Sequence, residues 1–205
     1  MNPPAQKKEL MTQLAKQLAI EVLSIVHQFE SDHPYDQMYA FALMATAEGT
    51  WIGVAIATEQ TLETVAQSYL QKGYQATTGN TLALLHLGLR WANPDDGWYY
   101  YDLPEPSSFL EQLQAAFDAH AIEYFDGSTV NICLAALQQL DGNHTFGTGI
   151  VRENITLSFT YGEDPRDFVT FAEQLNPTAQ IKRVRQEQEA GDTAWDQLQS
   201  PFRKF

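Results

Sequence analysis

Residues 38–59, MYAFALMATAEGTWIGVAIATE, decide the fold. Large and small apolar residues alternate on both sides of Glu48-Gly49-Thr50, first over residues 39–45 and then over residues 51–57. Alternation on both sides of a glycine-containing connection is typical of a β-hairpin. Both faces of each predicted strand are apolar, so both faces must be covered, and we expect helices to cover them.

Helical patterns surround the hairpin. The 3–4 spacing of apolar residues predicts an amphipathic helix over residues 7–30 and a second helix over about 61–72. Ser108 and Glu111 form a capping-box pattern that predicts the start of another helix. Two more helices are predicted, over about 128–140 and from Asp164-Pro165 to about residue 175.

Two further strands are predicted outside the hairpin. Residues 155–161 alternate between large apolar residues and Thr or Ser, which predicts a strand with one exposed face. Residues 81–91 are ambiguous, but the alternation from Leu85 to Trp91 favours a strand from about residue 85. The resulting order lacks the regular alternation of a parallel α/β fold. We therefore predict an α+β domain with a small, mainly antiparallel sheet built on the central hairpin and helices packed around it.

The periodic elements end near Asn176, which suggests a domain boundary. Residues 1–177 are predicted to form one domain, and residues 178–205 a polar C-terminal appendage that is partly helical. We expect its aromatic residues, Trp195, Phe202 and Phe205, to dock on the domain or on a partner.

Composition excludes several classes of protein. The chain has 205 residues, 44% of them hydrophobic, which suits a folded globular domain. No apolar run approaches the roughly 18–20 residues of a membrane span, and the N-terminus lacks the apolar region of a signal peptide. Cys133 is the single cysteine, so no internal disulfide can form. We expect a cytoplasmic protein that does not bind membranes.

The formal charge of −14 lies in the middle of the chain. Residues 17–151 contain only two basic residues, Lys72 and Arg90, against sixteen Asp and Glu. Such a field repels nucleic acid and would attract a basic protein partner. Solubility alone is the simpler explanation of the charge, and both explanations stay open.

The strongest candidate for a binding site is the aromatic loop of residues 90–101, RWANPDDGWYYY. Tryptophan, tyrosine and arginine dominate the energetically important contacts of binding surfaces. The candidate site residues are Arg90, Trp91, Asp95, Asp96, Trp98 and Tyr99. The alternative is structural: both tryptophans pack in the core, and Arg90 pairs with a nearby carboxylate.

Other motifs carry little chemistry. The five histidines and the single cysteine do not have the spacing of a metal site, so we predict no metal. Gly147-Thr148-Gly149 lacks the third glycine and the lysine of phosphate-binding loops. We predict no cofactor.

Several short segments carry a resemblance to a known family. They are His33-Pro34, residues 39–43, Thr58-Glu59, Arg90-Trp91 with Pro94 and Trp98-Tyr99, Phe146-Gly147, and Leu175-Asn176-Pro177. Over about residues 10–177 the chain resembles the uncharacterised bacterial domain-of-unknown-function family 4303. The resemblance implies a bacterial, cytosolic α+β domain of unassigned activity, and it brings no catalytic residues with it.

Two functions compete on this basis. The first is a non-enzymatic, cytosolic binding module that acts through the aromatic loop, with a toxin-neutralising, immunity-like role as one hypothesis. The second is a small-molecule enzyme whose pocket surrounds Arg90–Trp98. A deep, concave pocket that contains carboxylates with shifted pKa values would favour the enzyme, and a flat, acidic, aromatic patch would favour the binding module.

Overall fold

The computed structural model describes residues 3–92, 97–161 and 165–200, and these residues form an α+β fold. The helices are α1 (Pro3–Asp32), α2 (Glu59–Gln71), α3 (Thr81–Arg90), α4 (Ser108–Asp118), α5 (Ser128–Gly142), α6 (Ile150–Asn154), α7 (Pro165–Ala172) and α8 (Thr178–Asp196). The strands are β1 (Met38–Ala45), β2 (Ile52–Thr58), β3 (Gln75–Ala76), β4 (Tyr99–Asp102), β5 (Thr156–Thr160) and β6 (Leu198–Gln199).

The predicted hairpin is confirmed and lies at the centre of the main sheet. Strands β1 and β2 pair antiparallel, with Phe41 opposite Ile56 and Leu43 opposite Val54. The strand order is β4-β2-β1-β5. Strand β5 pairs with β1 in parallel, so the sheet is mixed and the prediction of a mainly antiparallel sheet needs this correction. Apolar alternation marks a strand but carries no information on the direction of its neighbours.

Helices cover both faces of the sheet, as the hairpin pattern predicts. Phe41, Leu43 and the other large residues of one face pack against α1, α4 and α5. The opposite face of the hairpin is made of small residues such as Ala40, Ala42 and Ala55 and lies under α2, α3, α7 and α8. Small side chains on this face let the second helical layer approach closely.

The predicted strand from about residue 85 is wrong, because α3 occupies this segment. Asn80 caps the helix by accepting a hydrogen bond from the backbone N–H of Ala83 at 3.3 Å. Leu85 and Leu89, one helical turn apart, are buried, whereas Leu87 is 41% exposed. The apolar residues of this segment fit either a helix or a strand, and packing against α8 favours the helix. The helices predicted over 7–30, 61–72 and 128–140 are confirmed.

Strand β5 exists, but its predicted exposed face is wrong because all five of its residues are buried. The polar residues of this face lie under α7 and α8. The Ser158 hydroxyl donates to the carbonyl oxygen of Phe168, and the Thr156 hydroxyl accepts from Nε2 of Gln180 at 3.3 Å. Hydroxyl groups with such hydrogen-bond partners can be buried at little cost in free energy. The alternation of Thr and Ser with apolar residues therefore does not indicate an exposed face in this strand.

Helix α4 is confirmed, but its cap is Ser107 and not the predicted Ser108. The Ser107 hydroxyl accepts from the backbone N–H of Leu110 at 3.0 Å and donates to Glu21 at 2.6 Å. Glu21, only 7% exposed, also accepts from the backbone N–H of Phe109 at 2.8 Å. A carboxylate from α1 thus replaces the local Glu111 that the capping pattern suggested. The predicted cap of α7, Asp164, lies outside the described residues.

Helix α8 packs on the body of the protein. It buries Ile181, Val184 and Ala194. Trp195 donates from Nε1 to the carbonyl oxygen of Gly88 at 2.8 Å. A Cβ on Gly88 would lie 2.9 Å from that indole nitrogen, so glycine permits the approach. The domain boundary at residue 177 stays a prediction, and Phe202 and Phe205 lie outside the described residues.

Asn176 closes the free edge of β5. Its Oδ1 accepts from the backbone N–H of Leu157 at 3.0 Å, and its Nδ2 donates to the carbonyl oxygen of Leu157 at 2.7 Å. Nδ2 also donates to the carbonyl oxygen of Ala172 at 2.7 Å. The amide therefore takes the place of a neighbouring strand at an otherwise open edge.

Replacing this amide should destabilise the protein. We expect Asn176→Ala to lower the free energy of unfolding by about 2–4 kcal/mol, because the backbone of Leu157 loses two partners. Urea denaturation measures the change. Gln174→Ala is the matched control, since Gln174 is exposed, and it should change the free energy by less than about 0.5 kcal/mol. Equal effects of the two substitutions would contradict the role of Asn176.

Candidate functional site

A cavity of about 980 Å³ opens at the end of the main sheet where β1 begins and β2 ends. Its wall includes the end of α1, the start of β1, the C-terminal part of α3, residues 145–147, part of α6 and one face of α8. The volume is at the upper end of the range of about 300–1,000 Å³ that ligand pockets occupy. The cavity is therefore the candidate functional site.

Arg90 lies in the wall and is held there on two sides. Its Nη2 donates to both carboxylate oxygens of Glu59, at 2.8 and 2.6 Å. Its guanidinium carbon lies 4.6 Å from the centre of the Tyr39 ring, a cation–π contact. The Arg90 side chain is 24% exposed. It thus forms the ion pair of the structural alternative and also lines a cavity, as a recognition site requires.

Tyr39 forms an aromatic part of the wall. Its hydroxyl donates to the carbonyl oxygen of Arg90 at 2.9 Å. Burial raises the pKa of this phenol, and the Arg90 charge opposes the shift only in part. The hydroxyl therefore stays protonated and serves as a donor that fixes the end of α3.

Glu187 from α8 contributes a carboxylate to the wall. Its Oε2 accepts from Nε1 of Trp91 at 2.8 Å. Its Oε1 forms an ion pair with Nε of Arg183 at 3.9 Å, a separation too long for a hydrogen bond. Trp91 itself is 9% exposed and packs edge-on against Tyr39, with ring centres 5.5 Å apart. The indole orients Glu187, and one carboxylate oxygen remains able to accept a hydrogen bond from a ligand.

The wall carries more negative than positive groups. Four carboxylates line it, from Glu30, Asp36, Glu59 and Glu187, against the guanidiniums of Arg90 and Arg183. Within the described residues, Glu30 has no ion-pair or hydrogen-bond partner for its carboxylate. The excess of acceptors and of negative charge favours a cationic ligand.

An aromatic cluster borders the cavity near Asp36. The ring of His33 lies over that of Tyr99, with centres 4.1 Å apart. Tyr99 donates to Oδ2 of Asp36 at 3.0 Å, and so does the Thr58 hydroxyl at 3.2 Å. Desolvation and the hydrogen bond to Asp36 raise the pKa of Tyr99 to about 12. The protonated phenol orients Asp36 at the cavity.

The predicted site residues separate in space. Arg90 and Trp91 line the cavity, whereas Trp98 and Tyr99 do not. Trp98 is 8% exposed and packs against Tyr39 and Phe168. Asp95 and Asp96 lie outside the described residues.

Sequence reasoning missed the other charged wall residues. Glu59 and Glu187 lie 31 and 96 residues from their partners Arg90 and Trp91. Only the fold brings them together. One available signal was the position of Glu59 directly after a predicted strand, since strand ends often carry functional side chains.

The arrangement is suited to binding. Across residues 3–92, 97–161 and 165–200, no three His, Cys, Asp or Glu side chains gather in a way that could hold a metal ion. In the same residues, none of the helices has the length and apolar character needed to cross a membrane. The chemistry that the cavity offers is acceptance of hydrogen bonds and attraction of positive charge beside aromatic rings.

Comparison with known proteins places the chain in a family. The model of the family described as "Domain of unknown function (DUF4303)" matches residues 21–177, which include α1 from Glu21, the whole main sheet and the helices up to α7. The matched part contains most of the cavity wall and excludes Glu187. No match was found among curated proteins or among solved structures. The chain therefore belongs to the DUF4303 family, a domain of unknown function.

Proposed function

We propose that this protein is a non-enzymatic binding module that holds a cationic group in the cavity. The observation that carries the proposal is the four carboxylates of the wall, of which Glu187 is oriented by Trp91 and has one oxygen that accepts no hydrogen bond from the described residues. Aromatic rings beside those carboxylates favour a guanidinium or an ammonium group.

The distribution of charge along the chain supports the same conclusion. Residues 17–151 carry sixteen acidic residues and two basic ones. A field of this sign raises the rate at which cations reach an acidic cavity and disfavours nucleic acid and anionic membranes. A basic protein partner is the macromolecular counterpart of such a ligand.

The biological setting that we propose is the bacterial cytoplasm, in line with the family resemblance and with a single cysteine, Cys133, that is buried. Neutralisation of a basic toxin is one hypothesis for the role of the module. It rests on the acidic middle of the chain and on the small α+β format.

The second candidate function is a small-molecule enzyme with a pocket beside Arg90. One observation favours it: the site is a concave cavity of about 980 Å³ and not a flat patch. Conversion of a bound ligand, measured by mass spectrometry after incubation with the protein, would establish the enzyme in place of the binding module.

Calorimetric titration with n-butylguanidinium tests the proposal. We expect this probe to bind one site per chain and the neutral analogue n-butylurea not to bind, because only the cation interacts with the carboxylates. Glu187→Gln should weaken binding about 10- to 100-fold, the effect of a hydrogen bond to a charged group. Glutamine can still accept from Nε1 of Trp91, so the wall should keep its shape.

Glu189→Gln is the matched control, because Glu189 lies on the same helix, is exposed and makes the same change in net charge. It should leave the affinity within about twofold, since screening weakens exposed charges at a distance. Equal weakening by both substitutions would show that the probe senses only net charge. That result would contradict a specific site.

A further inference from the structure

We infer that the cation held in the cavity belongs to a protein segment in which an arginine or lysine is flanked by apolar residues. This inference rests on the proposed function and adds the chemical class of the partner. A free small cation would need only the interior of the cavity, whereas a protein segment would also cover the surface around it.

The mouth of the cavity carries exposed apolar side chains. Leu87 on α3 is 41% exposed and Val151 on α6 is 57% exposed, and both line the cavity. Pro34, in the loop between α1 and β1, is also exposed and lines it. These three residues form the apolar rim.

The apolar rim comes from three separate segments of the chain. They are α3, α6 and the loop between α1 and β1, which are far apart in the sequence. Exposed apolar side chains that cluster around a concave site mark interaction surfaces.

The combination resembles the centre of a protein–protein interface. Such centres place one charged or aromatic anchor in a pocket, and the surrounding contacts exclude water from it. Here the acidic wall would receive the anchor and the apolar rim would exclude water. Exclusion of water strengthens the attraction between the cation and the carboxylates, because the local dielectric constant falls.

The net charge of this chain indicates the net charge that a partner should have. A net charge of −14 attracts a basic protein and opposes an acidic one. The four carboxylates of the wall repeat that preference at the site itself. A second copy of this acidic chain fits the surface poorly for the same reason.

Two probes of defined composition separate this inference from the proposed function. The first is n-butylguanidinium, and the second is the capped tripeptide acetyl-Leu-Arg-Leu-amide, which adds apolar residues on both sides of the same cation. We expect the peptide to bind about tenfold tighter, since burial of one or two partly exposed apolar side chains is worth that factor.

The double variant Leu87→Ser, Val151→Ser tests the apolar rim. It should weaken the peptide about tenfold and n-butylguanidinium less than about threefold, because the small probe covers little of the rim. Ile20→Ser, Leu70→Ser removes two exposed apolar side chains elsewhere, and it should leave both affinities within about twofold. Circular dichroism of each variant establishes that it is folded.

The outcomes are distinct. A peptide that gains nothing over n-butylguanidinium, or a rim variant that weakens both probes equally, overturns this inference and leaves the proposed function intact. Failure of both probes to bind overturns the proposed function and this inference with it. Stronger binding of the peptide, lost only in the rim variant, supports both.

Discussion

A chain that ends at Pro177 should lose its cooperative unfolding transition. Helix α8 buries Ile181, Val184 and Ala194. Its Gly191 lies against the backbone of α3, where a Cβ would meet the carbonyl oxygen of Leu87 at 2.8 Å. Removal of α8 would expose this whole face, and the lost burial is comparable with the total stability of about 5–15 kcal/mol of a typical domain.

Thermal melting followed by near-ultraviolet circular dichroism measures this effect. We expect a broad transition and binding of a hydrophobic dye, the properties of a loosely packed state. In the full chain, Val184→Ala should cost about 2 kcal/mol, whereas the exposed neighbour Lys182→Ala should cost less than about 0.5 kcal/mol. A truncated chain with a sharp transition at the original temperature would instead establish residues 1–177 as an independent domain, as the sequence predicts.

Phe41→Ala should be among the most destabilising single substitutions. Phe41 is fully buried, lies between Ile56 and Leu157 in the sheet, and packs on Phe146 with ring centres 4.8 Å apart. Truncation of a buried phenylalanine leaves a cavity at the centre of the core and should cost about 3–5 kcal/mol.

Urea denaturation of Phe41→Ala measures that cost. Tyr35→Ala is the matched control, because this aromatic residue is 89% exposed and its loss should change the free energy of unfolding by less than about 0.5 kcal/mol. A cost below about 1 kcal/mol for Phe41→Ala would contradict the central position of the hairpin.

Local patterns in the sequence predicted much of the fold. In the hairpin and in the helices over 7–30, 61–72 and 128–140, the apolar residues recur with a clear period. Each of these segments therefore predicts its own secondary structure without information from the rest of the chain. The direction of a strand relative to its neighbour depends on how distant segments pack. The sequence of β5 alone therefore does not predict that it lies parallel to β1. Residues 81–91 fit both periods, and only packing against α8 decides between them.

The site was less accessible from sequence than the fold. Arg90 and Trp91 stood out because cations are scarce in residues 17–151 and because aromatic residues follow them closely. Glu187 lies on α8, within the residues that the sequence predicts to be an appendage. Trp98 belongs to the core, because an aromatic-rich loop must bury part of its rings wherever it meets the sheet.

The indole signals in a ¹H–¹⁵N spectrum test the central claim most directly. Nε1 of Trp91 donates to Glu187 in the cavity, whereas Nε1 of Trp51 donates to Asp102, and neither Trp51 nor Asp102 lines the cavity. On titration with n-butylguanidinium, we predict that the Trp91 signal moves and saturates while the signal of Trp51 stays in place. A Trp91 signal that does not move, or one that moves together with Trp51, would contradict a cation site in this cavity.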